Sequence, residues 1–526
     1  MMAVDGNSRL QYGRAPERAR VEPACCGPKY PALHSAVPLQ LALMSPQTLI
    51  PRAALATAAL CVACQRPADT DPRMVSEWMH TMYGAIRVER LSPPVASRLM
   101  AYVSAALYSG LSAADSRLEP LTGRLNGFPK LPKAGDPRAY DATLVGVAAE
   151  RVVLDSLLRD ALPTTRAALT RLADSLARSR DSVLLLPAVR TRSAELGQRI
   201  GLAIVSWSRS DGFDSTRTRP PYVSPVGDAY WVNDAPANIY ASQNLSGASE
   251  FVALDNPANV IRAGSVSDRG LILNRPKRPN VKSLPAVNMA GMSEPYWGTV
   301  RPFALARWKE CELAAPPAYS VDSTSELYRD AASVRTTGGG LTPEQRAIAL
   351  YWADNAGESG TPVGHWLSIA SQMVSVRNLS ANDAARLMVL TSVAQADAFV
   401  ASWGYKYQYN LIRPRTYIRR VIDSTWEPLI PTPPFPEYPS GHSTVSAAAA
   451  AVLTAMLADG AFEDSTGLTI GNPVRRFESF RAAAHEAGES RVYGGIHFTY
   501  GNLGGRALGE CVGAKVIERL EPARAQ

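Results

Sequence analysis

Three stretches of this sequence carry residues that could hold and transform a tetrahedral oxyanion. Pro439-Ser440-Gly441-His442 follows a proline-heavy approach (Pro431, Pro433, Pro434, Pro436) and precedes an alanine-rich run from Ser443 to Leu457. Proline cannot continue a helix and glycine permits a tight turn, so this order predicts a helix starting here. Its first N–H groups and the positive end of its dipole would face an anion, with His442 as a proton carrier at the same end. Upstream, Lys406 and Arg413 stand seven residues apart, close to two helical turns. That spacing predicts both cations on one helix face, with Pro414 ending or bending the helix just past Arg413. Downstream, Ser490-Arg491-Val-Tyr-Gly-Gly-Ile-His497 places an arginine and a histidine on either side of a glycine-containing turn. Lys406, Arg413 and Arg491 supply charge, Ser440 and Gly441 hydrogen bonds, and His442 and His497 chemistry. Arginine forks suit such a ligand because they donate two parallel hydrogen bonds to neighbouring oxygens.

In this order the three motifs resemble the signature of the vanadium-dependent haloperoxidases and the related type 2 phosphatidic acid phosphatases. The family pattern has an Asp four positions past the last histidine, where this chain has Gly501. The flanks Tyr351-Trp-Ala-Asp354, Gly360-Thr-Pro-Val-Gly-His365-Trp366, Trp403 and Pro433-Pro434-Phe435-Pro436-Glu-Tyr-Pro439 resemble the soluble haloperoxidase branch. The resemblance thus covers residues 340 to 515 well and the earlier half loosely. It implies vanadate bound through His497, with its oxygens held by Lys406, Arg413, Arg491, Ser440 and the Gly441 N–H. His442 would handle protons, and Lys406 would polarise hydrogen peroxide for attack by a halide, releasing hypohalous acid toward a small organic acceptor. Phosphate shares the shape and charge of vanadate and would compete for the site. The same residues suit an acid phosphatase working through a phosphohistidine at His497, with His442 as the acid for the leaving group. An inactive oxyanion-binding relative is the third reading. Gly501 leaves the His497 tautomer to a backbone carbonyl, a water or another acid such as Asp354, and so predicts weaker cofactor affinity.

Supporting residues have plainer readings beside the functional ones. Asp354 could hold one of the arginines, and His365 could cap a helix or line the cleft. Trp403 and Phe435 could pack or line the pocket, and the resemblance ties the Phe435 position to chloride against bromide preference. His80 and His485 read as solvated or partner-bound.

The elements that must position these residues read as helical. The chain has 526 residues, 46% hydrophobic and 19% charged, an ordinary globular composition. Its net charge of +8 is scattered, without a basic run or aromatic-interleaved patch, so nucleic acid is not expected as a partner. Residues 1–43 read as outside the mature protein. Residues 44–64 combine a short cationic region, an apolar run and a small-residue exit, as in an export or lipoprotein signal with a lipid anchor at Cys64. That predicts a periplasmic, outer-membrane-tethered or secreted protein. Cys311 and Cys511 could pair in an oxidising compartment or remain buried thiols.

From Met74 the period is helical. Ser92-Pro93-Pro94 starts a helix that Gly110 is expected to end, and similar runs cover 139–162, 165–179 and 190–206. The Pro-, Asn- and Ser-rich text from about 211 to 302 predicts long excursions that could wall a cleft. Further helices are expected at 343–356, 362–375, 381–410, 443–458, 473–488 and 502–519. No apolar run there reaches the roughly 18 residues of a membrane span. The fold class is therefore all-α, two packed helical bundles with long connecting loops: an N-terminal region over 74–320 and a vanadate- or phosphate-binding domain over 340–522. The resemblance implies the same, a vanadium chloroperoxidase-like arrangement.

Overall fold

The structure, a computed structural model, describes residues 70–183, 185–232 and 294–521. The leader and signal expected over 1–64, and most of the excursion expected between 211 and 302, lie outside the described residues.

Proline is the first residue of five of the described helices, each after a non-helical residue. The first bundle contains α1 (Arg73–Glu89), α2 (Pro93–Ala114), α3 (Ala142–Leu157), α4 (Pro163–Ser179), α5 (Pro187–Ser208) and the short α6 (Phe213–Thr218). The second contains α7 (Glu326–Gly339), α8 (Pro343–Tyr351), α9 (Thr361–Val376), α10 (Ala381–Tyr409), α11 (Pro414–Val421), α12 (Gly441–Leu457), α13 (Phe480–Tyr493) and α14 (Thr499–Leu520). Thr342 caps α8 through a full capping box with Gln345, and the Ser380 and Ser479 side chains cap α10 and α13.

The sequence expectations fail in informative places. Gly110 does not end α2, which runs on to Ala114. A Cβ at Gly110 would lie 2.6 Å from Gly146 Cα, so the glycine marks a close crossing of α2 and α3 instead. The helix from Pro343 stops at Tyr351, because the chain turns away through Asp354, whose φ is 46°. Residues 473–488 do not form one helix. Phe462–Asp464 (β1) and Arg475–Phe477 (β2) pair antiparallel, the Phe462 and Phe477 rings meeting at 5.5 Å, and the helix begins only after Ser479.

The hub of the second bundle is α12, which packs on α10, α13 and α14. Its contact with α14 is made by glycines four residues apart. Cβ atoms at Gly505 and Gly513 would come within 2.5 Å of Ser440 O and 2.7 Å of Ala451 Cβ, and one at Gly509 would overlap Thr444 O. Small residues at that spacing put one stripe of the helix directly against its neighbour's backbone. The 29-residue α10 reaches across to the first bundle, where Ser392 Oγ meets Ser104 Oγ of α2 at 2.9 Å. By length and composition α10 could cross a membrane, contrary to the expectation from the apolar runs. Yet 94% of its most apolar window is buried in the protein, which makes it a core helix. Asp397, in its middle, accepts hydrogen bonds from the N–H groups of Phe303, Ala304 and Leu305 at 2.6–2.7 Å. Burial still lifts its pKa to about 6. Cys311 and Cys511 form a disulfide with Cα atoms 5.9 Å apart, which settles the choice between paired and free thiols.

Candidate active site

Ser440 is the N-cap of α12, its Oγ accepting from Ser443 N–H, so the helix starts where the Pro-Ser-Gly-His run predicts. Gly441 follows without a side chain, and a Cβ there would lie 3.1 Å from the Trp403 ring. His442 is partly open to a cleft. Its Nε2 has no hydrogen-bond partner among the described residues. Surrounding protein and the Arg491 cation push its pKa well below the usual histidine value, against a backbone hydrogen bond to Trp352.

Lys406 and Arg413 do not share a helix. Asn410 takes a left-handed conformation, φ 49°, and ends α10 just after Lys406; Arg413 is the N-cap residue of the next helix. The two cations nevertheless meet, because both bind the carbonyls of the proline-rich strap, which has no helix or sheet of its own to satisfy them. Lys406 Nζ donates to Pro436 O at 2.9 Å and Glu437 O at 2.8 Å. Arg413 donates to Phe435 O at 2.9 Å and Ile496 O at 2.7 Å. Both side chains are fully buried. Burial, then Arg413, lowers the Lys406 pKa well below its ordinary value. Arg491, at the end of α13, donates to Trp352 O at 2.6 Å, and burial brings its pKa down to about 10 against the pull of Asp354.

His497 sits in the turn before α14. Its Nε2 lies 3.1 Å from Arg413 Nη1, and a guanidinium can only donate, so Nε2 carries the lone pair. Its Nδ1 lies 2.7 Å from Glu437 Oε1 and therefore carries the proton. Burial and the neighbouring Arg413 and Lys406 push the His497 pKa well down, while burial raises Glu437 to about 7 against the same two cations. Glu437 is the residue that reading the sequence missed. Of the substitutes expected for the acid missing at Gly501, a backbone carbonyl, a water or another acid such as Asp354, it is another acid that holds His497, but not Asp354: it stands 60 residues upstream. One signal for it was present, an acidic residue lodged among the prolines of the motif itself.

Asp354 is bound instead to His365, with Oδ2 2.9 Å from Nδ1; the far nitrogen meets Asp464 Oδ2 at 2.8 Å. Burial opposes a charge there, but the two carboxylates raise His365 to about 10, and the ring stacks on Trp352 at 4.4 Å. His365 is thus a buried cation supporting the Trp352–Asp354 turn and forms no part of the cleft wall. Gly441, His442, Arg491 and His497 line the cleft, as do Asp354, Trp403 and Phe435. Lys406, Arg413 and Ser440 adjoin it without forming its surface. Arg413 Cζ and Lys406 Nζ lie 4.9 and 5.1 Å from the Phe435 ring centre. Phe435 and Trp403 are therefore both packing and pocket lining. His80 lies in a separate pocket, beside Ser371 and Gln372.

A family model described as the VCPO second helical-bundle domain matches residues 386–525, the part that holds every cation and histidine of the cluster. The vanadium chloroperoxidase of Curvularia inaequalis is 32% identical over 209 residues, 33% of this chain and 34% of that protein. The chain thus spans about a third of the length of that curated relative. A solved bacterial vanadium-dependent iodoperoxidase superposes with a TM-score of 0.71 at 29% identity, covering 87% of this chain and 98% of that one. A bacterial vanadium-dependent chloroperoxidase in its holo form superposes at 0.55 with 14% identity over 87% and 97% of the two chains, a likeness of fold alone. Motif order, helical architecture and these likenesses agree in supporting a kinship with the vanadium-dependent haloperoxidase superfamily, carried by the second helical bundle over residues 386–525.

Proposed function

We propose that this protein is a vanadium-dependent haloperoxidase that oxidises halide with hydrogen peroxide. The observation that carries the reading is a cluster of buried positive charge, only partly offset by Glu437 and Asp354, around a neutral histidine. Lys406 and Arg491 have no carboxylate within ion-pair distance among the described residues, and Glu437 is the one acid hydrogen-bonded to the cluster's histidines. Buried charge of one sign is costly until an opposite charge joins it. An oxyanion does so, and Arg491 Nε, buried with no hydrogen-bond partner among the described residues, has a donor to offer it.

The residues fit vanadate. His497 Nε2 has an unprotonated lone pair, which here accepts from Arg413 and would pass to the ligand, and Arg413, Arg491, Lys406 and the first-turn N–H groups of α12 would hold the oxygens. Bound vanadate supplies a Lewis acid that activates peroxide toward halide without itself changing oxidation state. This chain's own residues do the rest. His442, neutral near pH 7, takes a proton at Nε2 as peroxide enters and returns it to the departing water. The cations keep the oxygens negative, and Trp403, Phe435, Pro433 and Pro434 restrict water around them. Halide and a small organic acceptor meet at the open side of the cleft. The Cys311–Cys511 disulfide supports export to an oxidising compartment, as the apolar run before Cys64 suggests.

The test is peroxide-dependent bromide oxidation by metal-stripped protein, titrated with orthovanadate and repeated with phosphate as competitor. Activity rising to about one vanadate per chain and falling with added phosphate is expected. Silence at saturating vanadate, together with hydrolysis of an aryl phosphate, would replace this reading with the phosphatase one.

A further inference from the structure

We propose that Glu437 and Gly501 form a reciprocal pair, in which the carboxylate that positions His497 comes from the proline strap and the glycine of α14 exists to make room for it. The inference rests on the reading above only in taking His497 as the residue that holds the oxyanion.

Three observations carry it. Glu437 Oε1 accepts from both His497 Nδ1, at 2.7 Å, and the Phe498 N–H, at 3.2 Å. A two-point contact fixes the carboxylate as well as the ring. Arg413 contacts the opposite ring nitrogen at 3.1 Å, so the ring is held in one tautomer from both sides, with the Nε2 lone pair toward the guanidinium. Finally, a Cβ at Gly501 would overlap Oε1 and lie 2.8 Å from Cδ and 2.9 Å from Oε2 of Glu437. Gly501 lies within α14 and has no positive φ, so its backbone does not call for glycine, which is a poor helix former. What needs the glycine is the space in front of it. A carboxylate borne at 501 would project into the volume that Glu437 fills, within reach of the same nitrogen. The two positions are therefore alternative sources of one hydrogen bond, and only one can be used at a time. Glu437 is fully buried, and Lys406 binds its backbone carbonyl, which leaves the carboxylate for His497.

The experiment uses vanadate-free full-length protein with ¹⁵N-labelled histidine, the His497 signals assigned by loss in His497→Ala. In the native protein the long-range ¹H–¹⁵N spectrum is expected to show a single tautomer, Nδ1 protonated and Nε2 bare. Glu437→Ala is expected to mix the tautomers and weaken orthovanadate and phosphate binding, measured calorimetrically, by roughly 10- to 100-fold. Glu437→Gln, which keeps an acceptor oxygen, is expected to retain the tautomer. Gly501→Asp alone puts two side chains in one space and is expected to bind both anions more weakly than the native protein. The double variant Glu437→Ala/Gly501→Asp is expected to recover the tautomer and bring affinity back to within about threefold of native, which a merely structural role for Glu437 does not predict. A pure tautomer and native affinity in Glu437→Ala would overturn the proposal, as would a folded double variant no better than Glu437→Ala. If the native protein shows the single tautomer and binds phosphate but not orthovanadate, the haloperoxidase reading falls and the pairing of Glu437 with Gly501 stands.

Discussion

On the proposed function, Arg491 is a side chain that divides its work between anchoring itself and holding an anion. One nitrogen is spent on Trp352 O, which anchors the guanidinium, and Nε stays available toward the cleft. Lysine keeps the charge but loses the fork that allows both at once. Arg491→Lys is therefore expected to weaken orthovanadate binding by about tenfold or more, read by calorimetry, with the melting temperature little changed. His365 makes a prediction about stability. Its folded pKa, about 10, lies above the unfolded value of 6.5, so the protonated state stabilises the fold. The contribution is complete below pH 6.5 and is lost as pH rises toward 10. Unfolding free energies of native protein and His365→Gln, measured by urea titration, are expected to differ by a few kcal/mol at pH 6 and to converge near pH 10. Most of the cluster was legible in sequence because each motif carries its own turn chemistry. Glu437 was not, since nothing local tells a reader that a carboxylate will meet an imidazole 60 positions away. His365 escaped for the same reason: its two carboxylates come from a left-handed turn and a short strand with no periodic signature.

Among elements, the α12–α14 seam sets where the cluster stands. Ser440 N–H donates to Gly501 O at 2.9 Å, so the start of one helix is tied to the first turn of the other. Gly509→Val would drive a branched side chain into Thr444 O and Ala447 Cβ and is expected to cost about 3 kcal/mol, measured by urea unfolding. Orthovanadate affinity should fall in the same variant, because the N-terminus of α12 moves with the seam. Long helices with clear starts, such as α10 and α14, could be read to within a few residues. The broken link between Lys406 and Arg413 could not, because the spacing of two helical turns is equally met by a helix end, a left-handed Asn410 and a new helix. The β1–β2 hairpin was hidden by its size, three residues a strand, too few for alternation to register.

At the scale of the molecule, the Cys311–Cys511 bond closes a span of 200 residues around the whole second bundle up to the last helix. Cys511→Ser is expected to lower stability by about 4 kcal/mol, chiefly by freeing the unfolded chain, and to leave orthovanadate affinity within about twofold of native. The two-bundle, all-α plan was readable from helical periodicity. That the bundles share a core through α10 was not, since burial on every side erases the polar face by which a helix announces its surroundings. The cleft's rim has two owners. Ser92 and Pro93 belong to the first bundle, while Pro433 and Pro434 belong to the strap beside the anion cluster. Substitutions in the first rim can reshape what enters without disturbing a single residue that binds the strap carbonyls. The opening and the cluster beneath it can therefore be altered independently of one another.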